Sequence, residues 1–139
     1  MKLLFIFTHN RCRSILCEAI ARERGAGVLL AASAGSAPVE SVHPLTLQYL
    51  QVRGYSTQGL SSKSWHDVDG FAPDRVITVC DSAAGEACPI WLGGTEKTHW
   101  GLPDPSRVDG DEHAVHAAFM SVIDRIEQQV DLWRTAAQV

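Results

Sequence analysis

The chain opens with an uncharged apolar run that leads directly into a polar loop and a helical repeat. Leu3 to Phe7 has the continuous apolar character of a strand that is buried on both faces. The loop of residues 8 to 13 follows, and Ser14 is of a type favoured where helices begin. Apolar residues then recur at helical spacing as far as Gly25, which supplies a stop: Ile15, Leu16, Ala19 and Ile20. The first 25 residues therefore predict a strand, a loop and a helix.

The same alternation continues to the end of the chain. Val28 to Ala32 predicts a second strand, and a helix should begin at Pro44 and end by Gly54. Two further strands are predicted at Arg75 to Val79 and at Glu96 to Trp100, and an amphipathic helix at Val115 to Trp133. Strands that alternate with helices indicate an α/β fold, a single-domain parallel sheet flanked by helices on both faces. We expect one domain over residues 1–139.

Composition and charge narrow the class of protein. The chain has 139 residues, 45% of them apolar and 20% charged, which is typical of one globular domain. A net charge of -4 gives no basic surface for nucleic acid. The opening apolar run is far too short to span a membrane, and no secretory leader is recognised, so we expect a cytoplasmic protein with reduced thiols.

The predicted loop after the first strand has the properties of an anion site. Ligands of parallel sheets bind beyond the carboxyl ends of the strands, where residues 8 to 13, 80 to 94 and 101 to 110 are expected. A loop that opens a helix directs backbone N–H groups toward one point, and Arg13 would add a planar, doubly donating cation. The alternative is a solvated loop with two exposed arginines.

Residues 7 to 14 resemble the phosphate-binding loop of the low-molecular-weight protein tyrosine phosphatases and their arsenate-reductase relatives, C-x5-R-S at the end of the first strand. Arg13 and Ser14 match that pattern, and Asp104, in an Asp-Pro pair, matches the family's catalytic acid. The resemblance implies an oxyanion cradle and residues that support it. The cradle would comprise Thr8, His9, Asn10, Arg11, Cys12, Arg13 and Ser14, with Glu18 and Ser33 as loop support.

Two cysteines favour the arsenate-reductase branch. Cys80 follows the third strand and Cys88 lies eight positions later, where the reductases carry a thiol relay. The resemblance implies arsenate as substrate, phosphate or sulfate as related ligands, and thioredoxin, or glutathione with glutaredoxin, as the reductant. It implies no cofactor. The alternative for the two cysteines is one core thiol and one ordinary loop thiol.

The departure from the family lies at Phe7, where the resemblance predicts the nucleophilic cysteine. A phenyl ring has no lone pair to donate, so we expect the activity to be impaired. Cys12 has no arginine at the required spacing after it, and Cys17, on the first helix, is expected to be a small buried hydrophobe, so neither is a convincing replacement. A phosphomonoester hydrolase on the same fold and a non-catalytic oxyanion-binding protein are the competing interpretations.

Other residue types that often mark a site have simpler explanations here. Cys80 and Cys88 lack a second close pair at finger-like spacing, so structural zinc is not expected. Trp65 and Trp100 either wall the anion site or belong to the core. His9 lies inside the loop, where its ring can pack or form a hydrogen bond.

Overall fold

The computed structural model describes residues 1–80 and 95–138. In that part of the chain, four parallel strands form one sheet in the order β2-β1-β3-β4. The strands are β1 (Lys2–Ile6), β2 (Leu30–Ala34), β3 (Arg75–Thr78) and β4 (Glu96–His99). The helices are α1 (Arg13–Arg24), α2 (Pro44–Val52) and α3 (Glu112–Ala137), with short 3-10 helices at Trp65–Phe71 and Pro105–Arg107. The predicted α/β class is confirmed.

The alternating side chains of β1 divide the core between the two faces of the sheet. Leu3 and Phe5 belong to the larger cluster, to which the buried sides of α1, α2 and α3 contribute. Leu4 and Ile6 face the other way, toward Val76 and the 3-10 helix Trp65–Phe71. All four β1 side chains are fully buried, which explains their unbroken apolar run. The second face is thus covered here by a 3-10 helix, which the sequence did not predict.

The ends of the elements differ from prediction by a few residues. β2 begins at Leu30 instead of Val28, because the N–H groups of Val28 and Leu29 bond back to the carbonyl of Gly25. α1 begins at Arg13, with Cys12 at the cap position in place of Ser14. β1 ends at Ile6, although Phe7 N–H still donates to the Ala34 carbonyl over 3.2 Å. Phe7 is therefore the first residue of the loop.

The remaining strands and helices also shift at their ends. β3 stops at Thr78 and β4 at His99, each one residue before the predicted end. α3 is longer than its apolar repeat, because Asp111 caps it by accepting a hydrogen bond from Ala114 N–H over 3.0 Å. Among the residues the structure describes, no helix is both long and apolar enough to cross a membrane.

Candidate oxyanion site

The loop between β1 and α1 lies at the carboxyl edge of the sheet. The segment that follows β4 reaches the same edge, because Trp100 N–H bonds to the Thr78 carbonyl and Leu102 N–H to that of Val79. The carbonyl of Leu102 then accepts a hydrogen bond of 2.7 Å from Arg13 Nη1. Two of the three predicted site loops, which are remote in sequence, therefore meet at one place.

The loop backbone is held from outside through its carbonyl groups. The carbonyls of Thr8, His9 and Arg11 each accept a hydrogen bond from a donor beyond the loop. Across a planar trans peptide, the carbonyl and the following N–H point in opposite directions. The N–H groups of His9, Asn10 and Cys12 consequently point away from those donors. The three donors are Ala37 N–H at 2.8 Å, Ser62 Oγ at 2.9 Å and His43 N–H at 3.0 Å.

Gly35 allows the loop to lie against the end of β2. A Cβ atom at this position would come within 2.4 Å of the Thr8 carbonyl oxygen and 2.6 Å of the Phe7 carbonyl oxygen. Both contacts are with backbone, which cannot swing aside as a side chain would. Only glycine fits here, and the backbone that follows β2 thus lies directly against the loop.

Asn10 connects the loop to two neighbouring parts of the fold from a strained backbone position. Its backbone has a φ of 48°, in the left-handed region that Asn tolerates better than most residues, and its side chain is fully buried. Nδ2 donates to Ser14 Oγ over 2.9 Å, and Oδ1 accepts from Lys63 N–H over 2.9 Å. The side-chain amide therefore ties the loop to α1 and to the segment before the 3-10 helix.

Arg13 is a buried cation at the centre of the site. Besides donating to the Leu102 carbonyl, its guanidinium lies 3.6 Å from Asp104 Oδ2. The guanidinium carbon also lies 4.4 Å from the centre of the Phe7 ring, within the range of a cation–π contact. The guanidinium of Arg13 thus lies over the Phe7 ring and also contacts Leu102 and Asp104.

Asp104 lies at the start of the 3-10 helix Pro105–Arg107. Its Oδ1 accepts hydrogen bonds from the N–H and the hydroxyl of Ser106, at 2.9 and 2.6 Å. Its Oδ2 faces Arg13 and lies 3.4 Å from Arg107 Nε. With a side chain 16% exposed, the carboxylate is fixed at the boundary between the buried arginine and solvent.

The space that remains between these groups is very small. The cavity has a volume of only about 10 Å³. Because the Phe7 ring forms part of the cavity wall beside Arg13, an oxyanion that approached Arg13 would have to share this space with the ring. The cavity is lined by Phe7, His9, Arg11, Cys12, Arg13, Asp104 and Arg107.

The two thiols near the loop are poorly suited to act as nucleophiles. Cys12 is buried, and this burial raises the pKa of its thiol to about 12, only partly opposed by a hydrogen bond with Thr46. Burial also raises the pKa of Cys17, which is fully enclosed in the core. The thiolate is the reactive form, and neither residue holds it near neutral pH.

A second polar cluster lies behind the loop and contains a residue that the sequence did not single out. Glu18 is buried on α1, where its Oε1 accepts a 2.6 Å hydrogen bond from Ser33 Oγ and its Oε2 pairs with Arg22. Lys63 Nζ lies 3.2 Å from the same Oε1. Glu18 and Ser33 were predicted as loop support. Lys63 stands 45 residues from Glu18 in the chain, and no local pattern connects the two.

The remaining residues that the sequence predicted for the site are not all found there. Cys80 is buried directly after β3, whereas Cys88 lies outside the described residues. Trp100 packs edge-on against Trp133 at 5.5 Å, and Trp65 joins the core on the opposite face of the sheet. Neither tryptophan lines the cavity beside Arg13. His9 Nδ1 lies 3.1 Å from the Ala37 carbonyl, and this contact fixes the ring where it lines the cavity beside Arg13.

Comparison with known proteins agrees with this architecture. The family described as low molecular weight phosphotyrosine protein phosphatase matches residues 2–138. An arsenate reductase of Bacillus licheniformis is 27% identical over 92% of this chain and 91% of its own length. A glutaredoxin arsenate reductase of Synechocystis is 28% identical over 94% and 93%. The solved thioredoxin-dependent arsenate reductase of Corynebacterium glutamicum superposes with a TM-score of 0.70 and 27% identity, over 99% of this chain and 61% of that one.

Proposed function

Because the chain belongs to the low-molecular-weight phosphotyrosine protein phosphatase family, we propose that it is an arsenate-reductase-like member in which Phe7 occupies the position of the nucleophilic cysteine. The relatives that are about 27% identical over most of its length carry the name arsenate reductase. The spacing from Phe7 to Arg13 and Ser14 is that of the family's loop. The parent activity is the reduction of arsenate to arsenite by a thiol relay.

The observation that carries this proposal is the contact between Phe7 and Arg13. The guanidinium lies 4.4 Å from the ring centre, in a cavity lined by both residues and by Asp104. A nucleophile at residue 7 would stand opposite the cation that binds the oxyanion. With a phenyl ring there, the chain lacks the thiolate, and the ring occupies space beside the cation. We therefore expect it to be inactive or nearly so.

In the parent reaction, a thiolate at residue 7 displaces an oxygen from arsenic, and a proton makes that oxygen leave as water. Asp104, beside Arg13, is suited to supply the proton. Cys80 then attacks the sulfur of residue 7, so the electron pair of the S–As bond passes to arsenic and arsenite leaves. Cys88 next attacks Cys80, which frees the thiol at residue 7 and leaves a disulfide for an external reductant.

The reductant belongs to the same proposal. Two of the relatives are named as glutaredoxin- and thioredoxin-dependent, and both systems reduce a disulfide by thiol exchange. We place the chain in the cytoplasm with them, where such thiols are kept reduced. The oxyanions it would bind are arsenate, phosphate or sulfate, held by Arg13 and by N–H groups of the loop that opens α1.

Two competing functions use the same site differently. A phosphate-ester hydrolase would use Asp104 to protonate a leaving alcohol and would not need Cys80 or Cys88. The family description favours this alternative. A non-catalytic oxyanion-binding protein would need only Arg13 and the loop, and the missing nucleophile favours it. In both cases the ligand, a phosphate ester or a free oxyanion, would first have to displace the Phe7 ring.

The test is the substrate choice of the Phe7→Cys variant. We expect this variant to reduce arsenate with thioredoxin or with glutathione and glutaredoxin, and to hydrolyse aryl phosphate less effectively. Good hydrolysis without any reduction would support the hydrolase. Oxyanion affinity without turnover of either substrate would support the binding protein.

A further inference from the structure

Glu18 carries a carboxylate that is removed from water directly behind the oxyanion loop. Its side chain is 1% exposed, and it lies one helical turn beyond Ser14, which accepts the Asn10 amide. A buried carboxylate is tolerated only when cations or hydrogen-bond donors satisfy it. The groups that do so for Glu18 are Ser33, Arg22 and Lys63.

Lys63 differs from the other two partners because it contacts both the loop and α1. Its backbone N–H donates to Asn10 Oδ1 over 2.9 Å, while its ammonium lies 3.2 Å from Glu18 Oε1. The ammonium is also 2.8 Å from the Ser61 carbonyl and 3.5 Å from Ser33 Oγ. Asn10, Ser14, one turn of α1, Glu18 and Lys63 therefore form a closed ring of contacts.

We propose that Lys63 is a positioning residue for the oxyanion loop, whose ammonium fixes Glu18 and through it the Asn10–Ser14 bridge. The side chain does not line the cavity beside Arg13 and so acts only through other residues. The part of this proposal that concerns oxyanion binding rests on the proposed function. The part that concerns the effect of Lys63 on the loop geometry is independent of that function, so the two parts can be tested separately.

Without the ammonium, Glu18 would rely on Arg22 and Ser33. Arg22 is a weaker anchor, because 47% of its side chain is exposed and water competes for its guanidinium. The Lys63 backbone bond to Asn10 survives any substitution, so a side-chain variant isolates the ammonium. Asn10 stands at a strained φ that its hydrogen bonds must maintain.

The experiment compares Lys63→Met, which keeps the length of the side chain without its charge, with Lys63→Arg. Lys97→Met, at an exposed position on β4, is the matched control. Hydrogen exchange is followed by NMR in the otherwise unchanged chain at two local sites, the Asn10 side-chain amide and Leu16 N–H, which bonds to the Cys12 carbonyl. The reference is the backbone amide of Ile126, a core residue of α3.

We expect Lys63→Met to speed exchange at both local sites by about tenfold relative to Ile126, and Lys63→Arg to restore most of the protection. Lys97→Met should leave the exchange rates of both local sites, measured relative to that of Ile126, unchanged. Unaltered local exchange in folded Lys63→Met, or an equal acceleration at Ile126, would overturn the proposal, because the second result denotes only a general loss of stability. If Lys63→Met does not fold, Lys63→Gln is measured against the same criteria.

A second arm uses phosphate as the probe in the Phe7→Cys background. There Lys63→Met should weaken phosphate binding by about tenfold, and Lys63→Arg should recover most of the affinity. An unchanged phosphate Kd would overturn the link between Lys63 and the anion. If Phe7→Cys itself binds no phosphate, the proposed function fails, whereas the exchange measurement still decides the role of Lys63.

Discussion

The guanidinium of Arg13 lies 4.4 Å from the centre of the Phe7 ring, and the same guanidinium lies 3.6 Å from Asp104. The cation that would bind an oxyanion is thus satisfied by groups of the chain itself: a ring face, a carboxylate and the Leu102 carbonyl. A charged ligand would have to replace the ring contact and compete with the carboxylate. Under the proposed function, Phe7 would therefore act on the site in two ways, by replacing the nucleophile and by filling space beside Arg13.

The space-filling effect predicts that Phe7→Ala will improve oxyanion binding without creating activity. The truncated side chain should enlarge the cavity beside Arg13 enough for phosphate or sulfate. We expect the phosphate Kd to fall by at least about tenfold, or roughly 1.4 kcal/mol. Calorimetric titration measures it. The matched control is Phe71→Ala, which removes a half-buried ring from the opposite face of the sheet. Equal affinities in all three proteins would contradict the prediction.

Burial of Cys12 predicts a thiol that resists alkylation in the folded protein. Its pKa is raised from the usual 9.0 to about 12, so near pH 8 its thiolate fraction should be about a thousandfold below that of an ordinary cysteine. Labelling with iodoacetamide followed by peptide mass spectrometry should find Cys12 modified only after denaturation. Rapid labelling of native protein at Cys12 would reopen this residue as a substitute nucleophile.

The same raised pKa predicts a loss of stability at alkaline pH. The folded state holds the Cys12 proton more tightly than the unfolded chain, so its contribution is fully present below pH 9.0 and is lost as the pH rises toward 12. Cys17 and Tyr55, whose pKa values burial also raises, act in the same direction. Urea unfolding between pH 8 and 11 should give a shallower decline for Cys12→Ala than for the unchanged chain. Parallel pH profiles would show that Cys12 makes no such contribution.

The relay hypothesis predicts a disulfide between Cys80 and Cys88 after mild oxidation. Cys80 lies at the carboxyl end of β3, near the site, and a bridge requires the two Cα atoms to come within roughly 7 Å. Oxidised protein should then retain two thiols titratable after denaturation, and proteolysis should yield a Cys80–Cys88 cross-linked peptide. Cys80→Ser serves as the control. Four titratable thiols and no cross-linked peptide would remove the relay.

The sequence was sufficient to predict the parts of the site that follow from topology. Parallel strands bring their following loops to one edge, so Arg13 and Asp104 were expected to meet although they lie far apart in the chain. The resemblance likewise selected Asn10, and the structure gives that side chain two hydrogen bonds within the loop region. These features depend on the order of elements and on a motif of fixed spacing.

Features that depend on the direction of a side chain or on contacts between distant parts of the chain could not be predicted from the sequence. The apolar run predicted that Phe7 would end a strand, but whether its ring turned into the core or toward Arg13 depends on packing around the last strand residue. Lys63 meets Glu18 only because β2 and the segment before the 3-10 helix run side by side, as the pairing of Gly35 with Ser64 requires. A single lysine outside any pattern carries no signal of such a contact.

The most direct test of the central claim, that a thiolate at residue 7 is what this site lacks, compares Phe7→Cys with Phe7→Ser. Both substitutions remove the ring and open the cavity to a similar extent, but only cysteine supplies a thiolate. The measurement is the rate of arsenite formation from arsenate with thioredoxin, or glutathione and glutaredoxin, beside the unchanged chain. We predict sustained turnover for Phe7→Cys and none above background for Phe7→Ser or the unchanged chain. Equal rates in the two variants, or turnover of roughly 1 per second by the chain that carries Phe7, would contradict the claim.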